Sequence, residues 1–136
     1  MKFFTLDKQN KDKIVLLEKH CFPGEAWNFS QIEAHFSAGS GMVDANWQSY
    51  ILFMENAEEL EIFRVGVLPD SRRSGLGSSL VRHLLEYSGT KNVLLEVKSN
   101  NTAAIRMYEA IGFVKQGVRK KYYSGGEDAL LYIFRH

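Results

Sequence analysis

The chain has 136 residues, 45% hydrophobic and 24% charged, with a net charge of +1. That is the composition of an ordinary globular protein forming one domain over 1–136, and the near-zero balance gives no general pull toward nucleic acid or a membrane surface. One cysteine, Cys21, excludes an intrachain disulfide and a multi-cysteine metal site. No apolar run approaches the roughly 18 residues of a membrane span, so a cytoplasmic protein is expected.

Phe3 to Leu6 reads as a first strand. Asp7 stands as the N-cap of a helix over Lys8 to His20, with Ile14, Leu17 and Cys21 on one face, and Phe22-Pro23-Gly24 ends it. After a loop bearing Trp27, Ser30-x-x-Glu33 has capping-box spacing and starts a second helix through Phe36, stopped at Ala38-Gly39-Ser40-Gly41. Two helices joined by an aromatic-bearing loop make a wall for a substrate. Met42 to Ala45 and Ser49 to Met54 form a hairpin, and Glu59 to Val67 is the next strand. Gly66 within it has no side chain to pack, which predicts a bulge or the close approach of a ligand backbone.

The stretch from Phe63 to Leu80 reads as a buried strand, a proline-started turn, a glycine-containing loop and the first turn of a helix. Free backbone N–H groups and the helix dipole at such a junction both favour phosphate. A Walker loop would need a Lys-Ser/Thr ending, which is missing here. A dinucleotide fingerprint is approached by Gly75-x-Gly77, with Glu96 about 20 residues on, but bulky Leu80 occupies its third-glycine position. The helix from Gly75 to about Tyr87 carries Leu76, Leu80, Val81, Leu84 and Leu85 on one stripe and stops at Gly89.

Val93 to Val97 is a nearly continuous apolar run, as expected of a strand covered on both faces. Strand, helix and strand in succession predict a right-handed crossover and a parallel pair. Asn100-Asn101-Thr102 caps a helix over Ala103 to Ile111, which ends at Gly112. Phe113 to Arg119 and Ala129 to Phe134 close the chain as an antiparallel pair around Tyr122-Tyr123-Ser124-Gly125-Gly126.

Glu96 places a charge among apolar neighbours. Buried without a partner it would cost several kcal/mol or shift its protonation, so it is either ion-paired or functional. Adjacent His20 and Cys21 point about 100° apart on a helix and read as a packed helix end. His35, His83 and His136 lack ligand spacing, so no metal site is expected.

Arg72-x-x-Gly75-x-Gly77 matches the pyrophosphate-binding pattern [RQ]-x-x-G-x-[GA] of the GCN5-related N-acetyltransferases, which bind acetyl-CoA. Leu95 to Phe113, with Glu96, Asn101, Ala104, Tyr108-Glu109 and Gly112-Phe113, is similar to the L-E-V-R-x-S-N-x-x-A-x-x-L-Y-E-x-x-G-F segment of the RimI group in that family, bacterial acetyltransferases of a ribosomal-protein N-terminus. Val118 to Tyr123 resembles that group's R-R-x-Y-Y, Glu127-Asp128-Ala129 its E-D-A, and Cys21-Phe22-Pro23 its F-P-W loop.

The resemblance implies an α/β fold with a mixed twisted sheet, a splayed parallel strand pair and flanking helices. It implies acetyl-CoA as cosubstrate, no metal, and the N-terminal peptide of a ribosomal protein as acceptor. By the same resemblance Glu96 is the general base and Tyr108 the general acid. Val65, Gly66 and Val67 would pair with the pantetheine arm, Arg72, Arg73, Ser74, Gly75, Leu76, Gly77 and Ser78 would hold the pyrophosphate, and Asn101 would touch the cofactor. Trp27, Tyr122 and Tyr123 would face the acceptor.

Departures are Asn100 for serine, Lys98 for arginine, Gly24-Glu25-Ala26 inserted before Trp27, and a short Ser124-Gly125-Gly126 loop. They spare the cofactor site and leave peptide specificity open. With an α-amine pKa near 8 and a lysine near 10.4, roughly 10% of an N-terminus but only about 0.04% of a lysine is neutral at pH 7. A single carboxylate base is thus better matched to an N-terminus. Lysine or a small amine as acceptor, and an idle acyl-CoA-binding module, are the alternatives.

Overall fold

The computed structural model describes residues 2–136. Strands Phe3–Leu6 (β1), Ser40–Asp44 (β2), Ser49–Glu55 (β3), Glu59–Val67 (β4), Asn92–Lys98 (β5), Val114–Arg119 (β6) and Ala129–Phe134 (β7) form one sheet in the order β1-β2-β3-β4-β5-β7-β6. Every neighbouring pair is antiparallel except β4 and β5, the parallel pair expected from the crossover. Among the described residues no helix is long and apolar enough to cross a membrane.

Four helices cover the two faces. Lys11–Cys21 (α1) and Phe29–Phe36 (α2) bury Ile14, Leu17, Ile32 and Phe36 against Val43, Tyr50 and Leu52. Leu76–Tyr87 (α3) and Thr102–Ile111 (α4) bury Leu80, Val81, Leu84 and Tyr108 against Ile51, Phe53, Ile62, Val93 and Leu95. The α3 stripe is buried as its periodicity predicts, each such side chain contributing about 1.5–3 kcal/mol relative to exposure.

Four local expectations are corrected. Asp7 caps a 3-10 turn over Lys8–Asn10, and the α-helix begins only at Lys11. The cap of α2 is Asn28, not Ser30: Asn28 accepts from the Gln31 N–H at 2.9 Å and Gln31 accepts from the Asn28 N–H at 2.9 Å. Both triplets fit the spacing, but Asn28 has the extended backbone of a cap while Ser30 already lies within the helix. The bulge in β4 falls at Phe63, because Leu52 pairs with Arg64 and Phe53 with Ile62, whereas Gly66 pairs regularly with Tyr50. Finally, β5 is covered on one face only: Val93, Leu95 and Val97 are buried, while Leu94, Glu96 and Lys98 are half-open on the other face.

Candidate active site

Beyond Ile62 and Leu95 the parallel pairing of β4 and β5 stops. β4 continues alongside β3, from Arg64 opposite Leu52 to Val67 opposite Ser49, and β5 continues alongside β7, from Glu96 opposite Leu131 to Lys98 opposite Ala129. The strands therefore part at the bulged Phe63, and the β4 edge at Val65-Gly66-Val67 faces a slot with no ladder partner. Backbone amides on such an edge seek partners, and an extended chain with its own amides can occupy it as an added strand would.

The loop at the end of β4 leads into a helix start without a side-chain cap. Gly75 is the N-cap of α3 at φ 82°, and no side chain caps the helix. The first intrahelical bond runs from Ser79 N–H to Gly75 C=O at 3.0 Å, which leaves the N–H groups of Leu76, Gly77 and Ser78 as the helix's free donors. A Cβ built on Gly75 would meet nothing within 4 Å, so the space above the loop is open. Gly77 serves differently, letting the helix approach to where a Cβ would lie 3.2 Å from Val67 Cγ2. Arg73 sits in the left-handed region at φ 65°, with its side chain and that of Ser74 exposed.

The side chain of the exposed Arg72 folds back on the chain. It donates from Nε to Val67 C=O and from Nη2 to Cys21 C=O, both at 3.0 Å, and so pins the loop to the ends of β4 and α1. These two bonds hold the shape of the loop, and the uncapped backbone N–H groups at the start of α3 follow directly after it. The Asn101 carboxamide oxygen accepts from Ala104 N–H at 3.2 Å, capping α4. Tyr108 on that helix is 6% exposed, its ring edge-on to Phe113 at 5.5 Å, and burial holds its phenol above the ordinary tyrosine range.

Glu96 lies at the mouth of the slot on the sheet face opposite α3 and α4. Its side chain is 25% exposed and pairs with Arg119 Nε at 3.4 Å, so it is both partnered and accessible. Burial and then the charge of Glu96 push the carboxyl of Glu61, on the adjacent strand, upward. An open pocket of about 260 Å³ on the sheet is lined by Glu55, Glu59, Glu61, Phe63 and Leu94. Around the end of β5 the loop between β6 and β7 brings Tyr122, exposed and 5.5 Å from the Arg119 guanidinium, and Tyr123, 5.1 Å from the Lys98 ammonium. The two tyrosine rings meet edge-on at 5.2 Å. Lys98 pairs with Glu25, tying β5 to the loop between α1 and α2. Trp27 in that loop packs inward, 5.9 Å from the His35 ring, and forms a wall rather than an exposed platform.

The cluster behind this wall is one that sequence reasoning missed. Glu18 is fully buried and accepts hydrogen bonds from Trp27 N–H at 2.8 Å, from Arg64 Nη2 at 2.7 Å and Nε at 3.2 Å, and from the Tyr50 hydroxyl. The signal for it was a carboxylate on the apolar stripe of α1, between Leu17 and Cys21.

The family model described as "Acetyltransferase (GNAT) family" matches residues 18–113. The chain belongs to the acetyltransferase (GNAT) family. Among GNAT proteins it is 33% identical over 126 residues to the [ribosomal protein bS18]-alanine N-acetyltransferase of Escherichia coli, covering 82% of this chain and 80% of that one. It is 39% identical over 72 residues to the N-alpha-acetyltransferase RimI of Mycobacterium tuberculosis, covering 52% and 46% of the two chains. The crystal structure of the ribosomal-protein-S18-alanine N-acetyltransferase from Escherichia coli superposes with a TM-score of 0.87 at 25% identity, over 98% of this chain and 92% of that one. The mixed sheet with its single parallel pair is thus the GNAT fold, and the protein is an acetyl-CoA-dependent N-acetyltransferase.

Proposed function

We propose that the protein transfers the acetyl group of acetyl-CoA to the α-amine of a protein N-terminus, with the N-terminal alanine of a small-subunit ribosomal protein as acceptor. The observation that carries this reading is the position of Glu96, a half-open carboxylate at the point where β4 and β5 separate. The similarity to the bS18-alanine acetyltransferase supports the acceptor class. A cytoplasmic location and a single domain over 1–136 follow from the same reading.

In this mechanism Val65, Gly66 and Val67 hold the pantetheine amides along the unpaired edge of β4. The backbone donors from Arg73 to Ser78 hold the pyrophosphate, braced by Arg72. The acceptor enters over the open face, between the Trp27 loop and Tyr122-Tyr123. Glu96 takes a proton from the α-ammonium, directly or through water, and the freed amine nitrogen attacks the thioester carbonyl carbon. A carbon–nitrogen bond forms and the carbon–sulfur bond breaks. Tyr108 gives its proton to the departing thiolate, its raised pKa keeping that proton in place until then, and the second proton shed by the acetylated nitrogen as the neutral amide forms restores the phenol. Holding both reactants in one slot supplies much of the rate, because the step needs no covalent enzyme intermediate.

The test is acetyl-CoA turnover on a peptide with a free N-terminal alanine, beside the same peptide N-blocked and carrying an internal lysine. Glu96→Gln should lose about 10²–10⁴-fold in kcat on the free N-terminus while still binding acetyl-CoA. Turnover on the blocked peptide would put lysine ahead of the N-terminus. Acetyl-CoA binding without turnover on either would leave a different amine or an idle module.

A further inference from the structure

The buried Glu18 cluster takes no part in the chemistry above, yet it joins the two halves of the site. Its donors come from three separate pieces of chain: Trp27 in the acceptor-side loop, Tyr50 on β3, and Arg64 on β4. Arg64 lies in the part of β4 that has already left β5, so the same strand segment lines the cofactor slot. Its guanidinium also stacks 4.2 Å from the Phe22 ring and 5.3 Å from the Trp27 ring, and donates to Glu25 C=O at 3.3 Å. The loop from Phe22 to Asn28, which carries Pro23 and Gly24, is also tied to β5 by Glu25 and Lys98 and to α2 by Trp27 and His35, but it is Glu18 and Arg64 that fasten it to β4.

We propose that Glu18 is a positioning residue for the acceptor: with Arg64 it locks the loop from Phe22 to Asn28 against β4, so that the acceptor-side wall has its shape before the acceptor arrives. This rests on the acceptor entering beside that loop, as proposed above. A preformed wall lowers the ordering penalty of binding, so its loss appears as weaker acceptor binding rather than slower chemistry. The forked geometry matters as much as the charge. Oε1 serves Trp27 and Arg64 Nη2 together, while Oε2 serves Tyr50 and Arg64 Nε. Glutamine has one acceptor oxygen, so in Glu18→Gln Arg64 loses one of its two bonds in either amide orientation, and Trp27 loses its bond in one of them.

The experiment compares wild type, Glu18→Gln, Arg64→Lys and Tyr50→Phe. Arg64→Lys keeps the charge, loses the fork, and sits at a less buried position should Glu18→Gln fold poorly. Tyr50→Phe is the control, since it removes a donor from the same carboxylate and leaves Trp27 and Arg64 attached. The first readout is the split between KM and kcat on the free N-terminal alanine peptide. Glu18→Gln and Arg64→Lys are expected to raise the acceptor KM about tenfold with the acetyl-CoA KM within about twofold, and Tyr50→Phe to leave both within about twofold. The second readout needs no turnover: cleavage of the Glu25–Ala26 bond by a glutamate-specific protease under native conditions, followed by mass spectrometry. It is expected to quicken about tenfold in Glu18→Gln and Arg64→Lys alone.

An unchanged acceptor KM, a KM that rises equally in Tyr50→Phe, or cleavage that does not quicken would overturn the proposal. If wild type modifies neither peptide, the acceptor reading itself falls, and the cleavage rates still decide whether Glu18 fastens the loop.

Discussion

Gly66 gives the sharpest test of how the slot is built. A Cβ at this position would lie 2.4 Å from Tyr50 Cε1, 2.6 Å from Cζ and 2.7 Å from the hydroxyl oxygen, distances at which something must move. Tyr50 is fully buried and its hydroxyl is held by Glu18, so the ring has no empty space to enter. In Gly66→Ala, overpacking costs about 1–3 kcal/mol. Displacing the hydroxyl from a buried carboxylate adds about 1–3 kcal/mol. The stiffer unfolded chain returns about 0.4–1 kcal/mol. The net loss is about 1–6 kcal/mol, each kcal/mol lowering Tm by about 3.5 °C for a domain of this size. Urea and thermal unfolding followed by circular dichroism measure it directly. In a Tyr50→Leu background, where the ring is gone, the same substitution should cost less than about 1 kcal/mol, and that coupling is the signature of the contact. The rival explanation, that Gly66 is bare to admit a ligand backbone, predicts unchanged stability in the single variant and weaker acetyl-CoA binding. A stability change below about 0.5 kcal/mol with lost cofactor affinity would refute the packing argument.

Burial raises the pKa of Tyr108 in the folded protein, whereas in the unfolded chain the phenol ionises near pH 10. The stability this reflects is complete below about pH 10 and is lost as pH rises above it, so the urea midpoint should drop as pH is raised above about 10, and drop less in Tyr108→Phe; identical profiles would count against a buried phenol. Asn28→Ala should destabilise by about 1 kcal/mol by removing the cap of α2, and Ser30→Ala should stay within about 0.5 kcal/mol; equal effects in urea titrations would return the cap to Ser30.

Much of this molecule is encoded between near neighbours. The stripe from Leu76 to Leu85, the stops at Gly89 and Gly112, and the crossover from β4 through α3 to β5 are set by periodicity, φ preferences and chain direction, all of which act over a few residues. The loop before α3 belongs with them, because an uncapped helix start behind a left-handed glycine is a local property of Arg72 to Ser78. Tertiary structure decided what joins residues far apart in the chain. Spacing did not reveal that β7 inserts between β5 and β6, that the bulge falls at Phe63, or that the outer face of β5 stays half-open. Arg72 finds Cys21 across 51 residues, Arg64 finds Glu18 across 46, and Lys98 finds Glu25 across 73. A buried charge must be paired wherever its partner happens to lie, so the sequence showed that Glu96 needed explaining, but only the packed sheet revealed Glu18 buried among Trp27, Tyr50 and Arg64, and Glu96 paired with Arg119 where β4 and β5 part.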